Sequence, residues 1–155
     1  MYKFTKLFIS LFGIGFFPIA SGTIATLISL IFMFFIIKFI SIFYIILFFI
    51  IIFFISTRLI NYYSSFVKNH DSSEIVIDEF LGIIFIFIFY DVIKFTNDYI
   101  MLILIFFIFR FFDIIKIFPA NWVDKNIKNS WGVLLDDIIA GGYSIIVLFL
   151  FHEFV

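Results

Sequence analysis

Long apolar runs of Phe, Ile and Leu, separated by short polar intervals, are the feature that most restricts how this chain can fold. A helix needs about 20 apolar residues to cross a bilayer, and Ile24–Ser56 taken as one helix would be too long. A turn is therefore predicted at Lys38–Ser41. The five predicted spans are Ile24–Ile37, a second run ending at about Ser56, Phe80–Tyr90, Tyr99–Phe109 and Ile138–Phe151.

The composition supports a membrane protein. Hydrophobic residues make up 65% of the chain and charged residues 14%, against about 45–50% and about 25% in soluble domains. We predict one all-α domain over residues 1–155, a polytopic membrane helical bundle with short spans and an acidic site at the membrane interface. No oligomeric state follows from the sequence.

Charge and cysteine content exclude several kinds of function. The net charge of −1 gives no broad basic surface, so a nucleic-acid partner is not expected. The absence of cysteine removes disulfides, cysteine metal sites and thiol nucleophiles together. The 29 Phe residues are interpreted as lipid-facing and core-filling side chains.

The N-terminal segment Met1–Phe12 has two interpretations. It can be a signal peptide with a poor cleavage site at Ala20-Ser21-Gly22, or an interfacial helix that stays, and the second is favoured. The loop Gly13–Thr23 is rich in helix breakers. Thr23 is predicted to cap the helix that follows, and Gly22 and Thr23 can offer backbone N–H groups to a phosphate.

Charged residues concentrate between Phe109 and Gly142, inside an otherwise apolar chain. They are Arg110, Asp113, Lys116, Asp124, Lys125, Lys128, Asp136 and Asp137. Five spans place this stretch, the N-terminal loop and the interval Arg58–Asp78 on one side of the membrane. Eight of the ten Lys and Arg residues then fall on that side, so the positive-inside rule makes it cytoplasmic.

Carboxylates on that same side suggest a metal site. Adjacent carboxylates near lipid repel unless a cation neutralises them, and Mg²⁺ prefers oxygen ligands that it shares with substrate phosphate. Acids at helix starts also complement the helix dipole, so each one alone has a structural explanation. The predicted catalytic and Mg²⁺-binding residues are Asp78, Glu79, Asp113, Asp136 and Asp137.

Two cations flank Asp113. Arg110 offers a bidentate fork for phosphate and Lys116 a point charge. Alternatively, both side chains snorkel to the membrane surface, or Asp113 and Lys116 form a plain surface ion pair. The remaining charges, Asp124, Lys125 and Lys128, are interpreted as a solvated helix face without chemistry. Trp122 and Trp131 are expected in the interfacial belt.

Histidine chemistry is not expected. His70 lies in a polar loop and His152 at the other end of the chain, and neither has the basic and acidic neighbours that a phosphatase nucleophile needs. Metal with carboxylates is what remains for phosphoryl chemistry.

Four blocks of the sequence resemble the phosphatidylglycerophosphatase A family. They are GIGFFPIASGT (Gly13–Thr23), IDEFLG (Ile77–Gly82), FRFFDIIKIFP (Phe109–Pro119) and WGVLLDDIIAG (Trp131–Gly141). The resemblance implies a Mg²⁺-dependent enzyme of the bacterial inner membrane that hydrolyses phosphatidylglycerophosphate to phosphatidylglycerol and phosphate. It also implies functional roles for the five acids, Arg110 and Lys116.

Two other functions stay open at this stage. A small non-enzymatic membrane protein or transporter subunit can use acids as an ion path, but then charges are expected deep in the spans and on both sides. A related metal-dependent phosphatase can act on another phosphomonoester.

Overall fold

The computed structural model describes residues 1–67, 72–94 and 97–154, with side chains described up to residue 151. Within these ranges the regular structure is helical, as predicted. A 3₁₀ turn at Ile14–Phe16 lies between α1 and α2. In chain order the α-helices are α1 (Tyr2–Ile9), α2 (Ser21–Ile36), α3 (Ile42–Val67), α4 (Ile77–Ile88), α5 (Tyr90–Ile93), α6 (Asp98–Ile115), α7 (Ala120–Asn126) and α8 (Ser130–Phe154).

Two helices are long and apolar enough to cross a membrane: α3, and α8 over Ser130–Phe151. With 26 residues, α3 is about 39 Å long at 1.5 Å per residue, which exceeds the roughly 30 Å hydrocarbon core of a bilayer. Helix α2 is apolar but shorter. These helices make the fold an all-α bundle of the membrane type.

The turn between the first two predicted spans is confirmed, because α2 ends at Ile36 and α3 begins at Ile42. The predicted end of the second span at Ser56 is wrong, since α3 continues to Val67 and includes the exposed Arg58. The reason is that buried positions keep a helical period beyond Ser56, at Ile60, Tyr63 and Ser64.

Two helix starts differ from the prediction. Helix α2 begins at Ser21 after Ala20, whose φ is +54°, so Thr23 lies in the first turn and does not cap the helix. Helix α8 begins well before Ile138, because the Asn129 side chain accepts hydrogen bonds from the backbone N–H groups of Trp131 and Gly132.

As a result, Asp136 and Asp137 lie within α8 and not at the border of a polar segment, where they were expected. The fourth predicted span was also too short, since α6 continues beyond Phe109 to Ile115. Lys68, His70, Asp71 and the side chain of His152, all used in the sequence interpretation, lie outside the described residues.

Helix α4 is the centre of the bundle and packs against α2, α3 and α8. Its side chains Leu81, Ile84 and Phe87 are fully buried. Two glycines allow the closest of these contacts: a Cβ added to Gly82 would lie 3.1 Å from the Asp137 carbonyl oxygen, and one added to Gly141 3.1 Å from the Gly82 carbonyl oxygen. Small residues let helix backbones approach in this way in membrane bundles.

Polar contacts collect at two ends of the bundle. At one end Lys6 pairs with Glu74, and Ser21 donates a hydrogen bond to the Ser73 carbonyl. The turn that leads from α2 into α3 marks the other end, where Lys38 pairs with Asp98. Ser21 at the end of the N-terminal loop, Ser73 of the segment before α4 and Asp124 of the α6–α8 connection line one cavity, so these three segments meet at the first end of the bundle.

Candidate active site

Three carboxylates from two helices meet at the first of these ends. Asp78 and Glu79 lie in the first turn of α4, Asp137 lies in α8, and one oxygen from each can be chosen so that all three lie within 4.8 Å of one another. Gly82 and Gly141 each lie one helical turn after an acid of the cluster. The close backbone crossing that they allow therefore holds the carboxylates of α4 and α8 together.

The cluster is buried and strongly negative. Asp137 is 4% exposed, and the Glu79 side chain is 13% exposed. Burial, and after it the neighbouring Glu79 carboxylate, raise the pKa of Asp78 well above its usual range. Like charges this close are stable together only when a proton or a cation neutralises part of the charge.

Arg110 of α6 borders the cluster. Its Nη1 lies 2.5 Å from Asp113 Oδ2, one turn along the same helix, and 3.7 Å from Glu79 Oε1. It also donates a hydrogen bond of 3.4 Å to Thr26 Oγ1 in α2, a contact that the sequence did not suggest. Among the described residues, the buried Arg110 Nε and Glu79 Oε2 have no hydrogen-bond partner. One donor and one acceptor are thus available to a ligand.

Gly22 makes room for this pair of side chains. A Cβ at Gly22 would overlap Glu79 Oε1 and lie 3.3 Å from Arg110 Nη1. The half-buried Thr23 follows it in the first turn of α2. The structure therefore gives Gly22 a steric role beside the acids, while its contact with phosphate stays a prediction.

Lys116 is held by two acids from different helices. Its Nζ lies 2.6 Å from Asp136 Oδ2 and 2.8 Å from Asp124 Oδ1. Burial lowers the pKa of Lys116, but the hydrogen bonds to Asp124 and Asp136 outweigh burial and raise it above the usual value. The lysine therefore keeps its charge.

Two sequence interpretations of these charges are wrong. Asp113 pairs with Arg110 and not with Lys116, and Asp124 is a half-buried partner of Lys116, not part of a solvated face. Periodicity could not reveal this, because Lys116 ends α6 in a left-handed conformation with φ +47°. That backbone conformation, uncommon for a residue other than glycine, breaks the register between α6 and α7.

One cavity of about 170 Å³ joins these groups. Six of the nine predicted site residues line it. Arg110 and Gly22 contact Glu79 but are not part of the lining, and Thr23 is not part of it either. Those six are Asp78, Glu79, Asp113, Lys116, Asp136 and Asp137. Ser72, Ser73, Ile75 and Val76 close the cavity from the segment before α4.

That segment is clamped from outside by a residue whose role the sequence did not reveal. Glu74 accepts a 2.5 Å hydrogen bond from the Tyr63 hydroxyl and pairs with Lys6 at 3.0 Å. The backbone N–H of Val76 also donates to the Ile9 carbonyl. Glu74 thus fixes one wall of the cavity to α1 and α3.

The fold and the site define a helical protein of the membrane type, with a buried cavity between its helices that carries clustered carboxylates and two fixed cations. The model of the phosphatidylglycerophosphatase A family matches residues 7–152, and the chain belongs to that family.

Two curated relatives are similar to the chain. Phosphatidylglycerophosphatase A of Escherichia coli (strain K12) is 30% identical over 138 residues, which are 89% of this chain and 77% of the relative. Phosphatidylglycerophosphatase A of Haemophilus influenzae is 28% identical over 80 residues, 52% of this chain. That match spans about half of the relative, 47% of its length. No solved structure matches the chain.

Proposed function

We propose that the protein is a Mg²⁺-dependent lipid phosphatase that hydrolyses phosphatidylglycerophosphate to phosphatidylglycerol and inorganic phosphate. The observation that carries this proposal is the meeting of Asp78, Glu79 and Asp137, from two helices, within 4.8 Å. Fixed cations beside a metal-type carboxylate cluster suit a phosphomonoester, and family membership supplies the substrate.

The donor atoms fit Mg²⁺. They are carboxylate oxygens, which this ion prefers, and Glu79 Oε2 has no partner among the described residues. Asp78, Glu79 and Asp137 are the proposed ligands, with Asp113 and Asp136 next to them as partners of Arg110 and Lys116. When bound, the ion supplies a Lewis acid and lowers the pKa of a bound water.

The cations have separate tasks in this proposal. Arg110 turns its free Nε toward the phosphate while Asp113 keeps the guanidinium in place, and Lys116 neutralises a further phosphate oxygen. The Glu79 oxygen that does not hold the ion accepts a proton from the attacking water, whose oxygen bonds to phosphorus. The phosphorus–oxygen bond to glycerol then breaks, and Glu79 returns the proton to the glycerol oxygen, which leaves as a hydroxyl group of phosphatidylglycerol, with inorganic phosphate as the other product.

The proposed location is the bacterial inner membrane, crossed several times, with the site at its cytoplasmic face. Support comes from the excess of Lys and Arg at the end that carries the cavity. The lipid tails stay in the bilayer while the headgroup reaches the carboxylates.

The test is phosphate release from phosphatidylglycerophosphate by the purified protein, with Mg²⁺ and with EDTA, and with soluble glycerol phosphate as a second substrate. Asp137→Asn should abolish release. Asp91→Asn is the matched control, because its side chain is 79% exposed and pairs with Lys94 before α6. Near-normal turnover by Asp137→Asn, with retained helical content in both variants, would overturn the assignment.

A further inference from the structure

An apolar groove runs along the bundle between α2 and α3, with Phe8 of α1, Leu11 and Phe12 lining one end of it. Two adjoining cavities of about 430 and 280 Å³ form it and share Phe32 of α2 and Phe48 of α3. Phe32 is 45% exposed and Phe48 39% exposed, so the groove opens on the outer surface of the bundle. We name this feature the α2–α3 groove.

The α2–α3 groove and the acidic cavity share the first turn of α4. Ile77 and Phe80, three residues apart and therefore on one face, line the groove, while Asp78 and Glu79 between them line the cavity. The Phe80 ring lies 6.0 Å from the Phe32 ring and 6.3 Å from the Phe48 ring, measured between centroids. The pair Ile77 and Phe80 and the pair Asp78 and Glu79 lie on opposite faces of α4, and α2 connects the two sites: Thr26 accepts a hydrogen bond from Arg110, and Ser29, three residues later on the same face, lines the groove. A phosphate held by Arg110 would therefore lie about one turn of α2 from the groove.

The length of the groove fits one hydrocarbon chain of a single leaflet. Its lining on α2 runs from Ile28 to Ile36, which is about 12 Å at the helical rise of 1.5 Å per residue, and continues to Ile40 in the turn after α2. One leaflet contributes about 15 Å, half of the roughly 30 Å hydrocarbon core.

A polar atom lies in the wall of the groove near the end that α1 lines. Ser29 is 1% exposed and lines the larger cavity, and its Oγ has no partner within residues 1–67, 72–94 and 97–154. A buried hydroxyl without a partner costs about 1–3 kcal/mol. In a phospholipid, the ester carbonyl at the head of the acyl chain is the acceptor that enters an apolar groove with that chain.

We propose that the α2–α3 groove seats one acyl chain of the lipid phosphomonoester, with the Ser29 hydroxyl donating a hydrogen bond to the ester carbonyl at the head of that chain. This inference rests on the proposed phosphatase function. It adds a feature of the protein that would determine how deep in the membrane the substrate lies. Lipid tails are as apolar as the groove, so the groove acts by placing the headgroup, not by extracting the chain from water.

Filling the groove tests the proposal. Ile28→Trp should block the groove near the end that α1 lines. Leu27→Trp is the matched control, because Leu27 is the neighbouring residue of α2, is about equally exposed and is not part of the groove lining. Ile28→Trp should lower kcat/KM for dipalmitoyl phosphatidylglycerophosphate about tenfold or more, since small misplacements of a reacting group are costly. It should leave kcat/KM for the fully deacylated headgroup phosphomonoester unchanged, and Leu27→Trp should change neither value.

The ester contact has its own test. Ser29→Ala should lower kcat/KM about threefold to tenfold for the ester-linked lipid, the loss expected for one hydrogen bond, and should have no effect with the ether-linked analogue. Ser56→Ala, which removes another buried hydroxyl without a partner in the described structure, should change neither. Equal effects of Ser29→Ala on both lipids would overturn the ester contact.

A readout that does not need turnover separates this inference from the proposed function. Phosphatidylglycerophosphate with a diazirine midway along one chain should crosslink to peptides of α2 and α3 that contain Phe32 and Phe48, and Ile28→Trp should abolish this crosslink. Crosslinking without hydrolysis would refute the phosphatase and keep the groove. Hydrolysis with crosslinks spread over all lipid-facing helices, or equal kinetics of the two Trp variants, would mean that the groove holds bulk lipid only and would overturn the inference.

Discussion

Removing the Tyr63 hydroxyl tests whether the wall of the cavity is clamped from outside. Tyr63 is 2% exposed, and its hydroxyl donates a 2.5 Å hydrogen bond to the Glu74 carboxylate. Hydrogen bonds to charged groups contribute about 1.5–3 kcal/mol. Tyr63→Phe should lower the free energy of unfolding by about 1.5 kcal/mol, the low end of this range. The loss is limited because Lys6 still holds Glu74 and the Glu74 side chain is 33% exposed. Water can therefore solvate the oxygen that loses its partner.

The measurement is thermal unfolding of the purified protein in detergent. A loss of about 1.5 kcal/mol corresponds to a fall in Tm of roughly 3–6 °C for a chain of this size. Tyr62→Phe is the matched control on the same helix, where the ring packs against Phe66, and it should leave Tm unchanged. Equal Tm values for the two variants would refute the clamp.

The same clamp predicts a pH dependence. The hydrogen bond from Tyr63 lowers the pKa of Glu74 despite partial burial, and Lys6 lowers it further. A lowered pKa means that the carboxylate stabilises the fold above its ordinary pKa of 4.5, and that this contribution is lost as pH falls through the lowered value. The difference in Tm between the wild type and Glu74→Gln should therefore be full at neutral pH and should shrink below about pH 4.5.

Three further predictions concern the site. Gly82→Ala should push α4 away from both the Phe109 ring of α6 and the Asp137 carbonyl of α8 and lower phosphate release strongly. Gly142→Ala, whose Cβ would meet nothing within 4 Å, should be tolerated, and equal activity of the two variants would contradict the close packing around Gly82. Arg110→Lys should lower kcat/KM by more than tenfold because the planar fork is lost, and wild-type kinetics would exclude that role. Lys116→Met should lower the free energy of unfolding by about 3–5 kcal/mol, because it leaves Asp136 buried and unpaired. In denaturant unfolding, the double variant Lys116→Met/Asp136→Leu should regain part of this stability, and no regain would contradict the pairing of Lys116 with Asp136.

The residue types of the site could be predicted from the sequence, because charges are rare in an apolar chain and costly near lipid. Asp78, Glu79 and Arg110 were found for that reason, and six predicted residues line one cavity. Their functional roles stay predictions.

The partners of these residues could not be predicted, because they depend on backbone geometry. Nothing in the spacing of Lys116 and Asp124 indicates that a left-handed residue ends α6 and brings them together. The early start of α8 depends on one cap, Asn129, in a segment whose charges suggested a surface. The contact between Glu74 and Tyr63 could not be predicted either, because Tyr63 lies in the part of α3 beyond the predicted end of the second span.

The crossing of α4 and α8 places the acids close to the point about which the two helices would tilt relative to each other. Asp78 and Asp137 lie one turn, about 6 Å, from the glycines at which the two helices touch. A change in bilayer thickness alters helix tilt, and rotating one helix by about 10° around this contact would move the acids by only about 1 Å. The outer ends of the helices would move farther than the acids, because they lie farther from the contact. The spacing of the carboxylates would therefore change little when the membrane deforms.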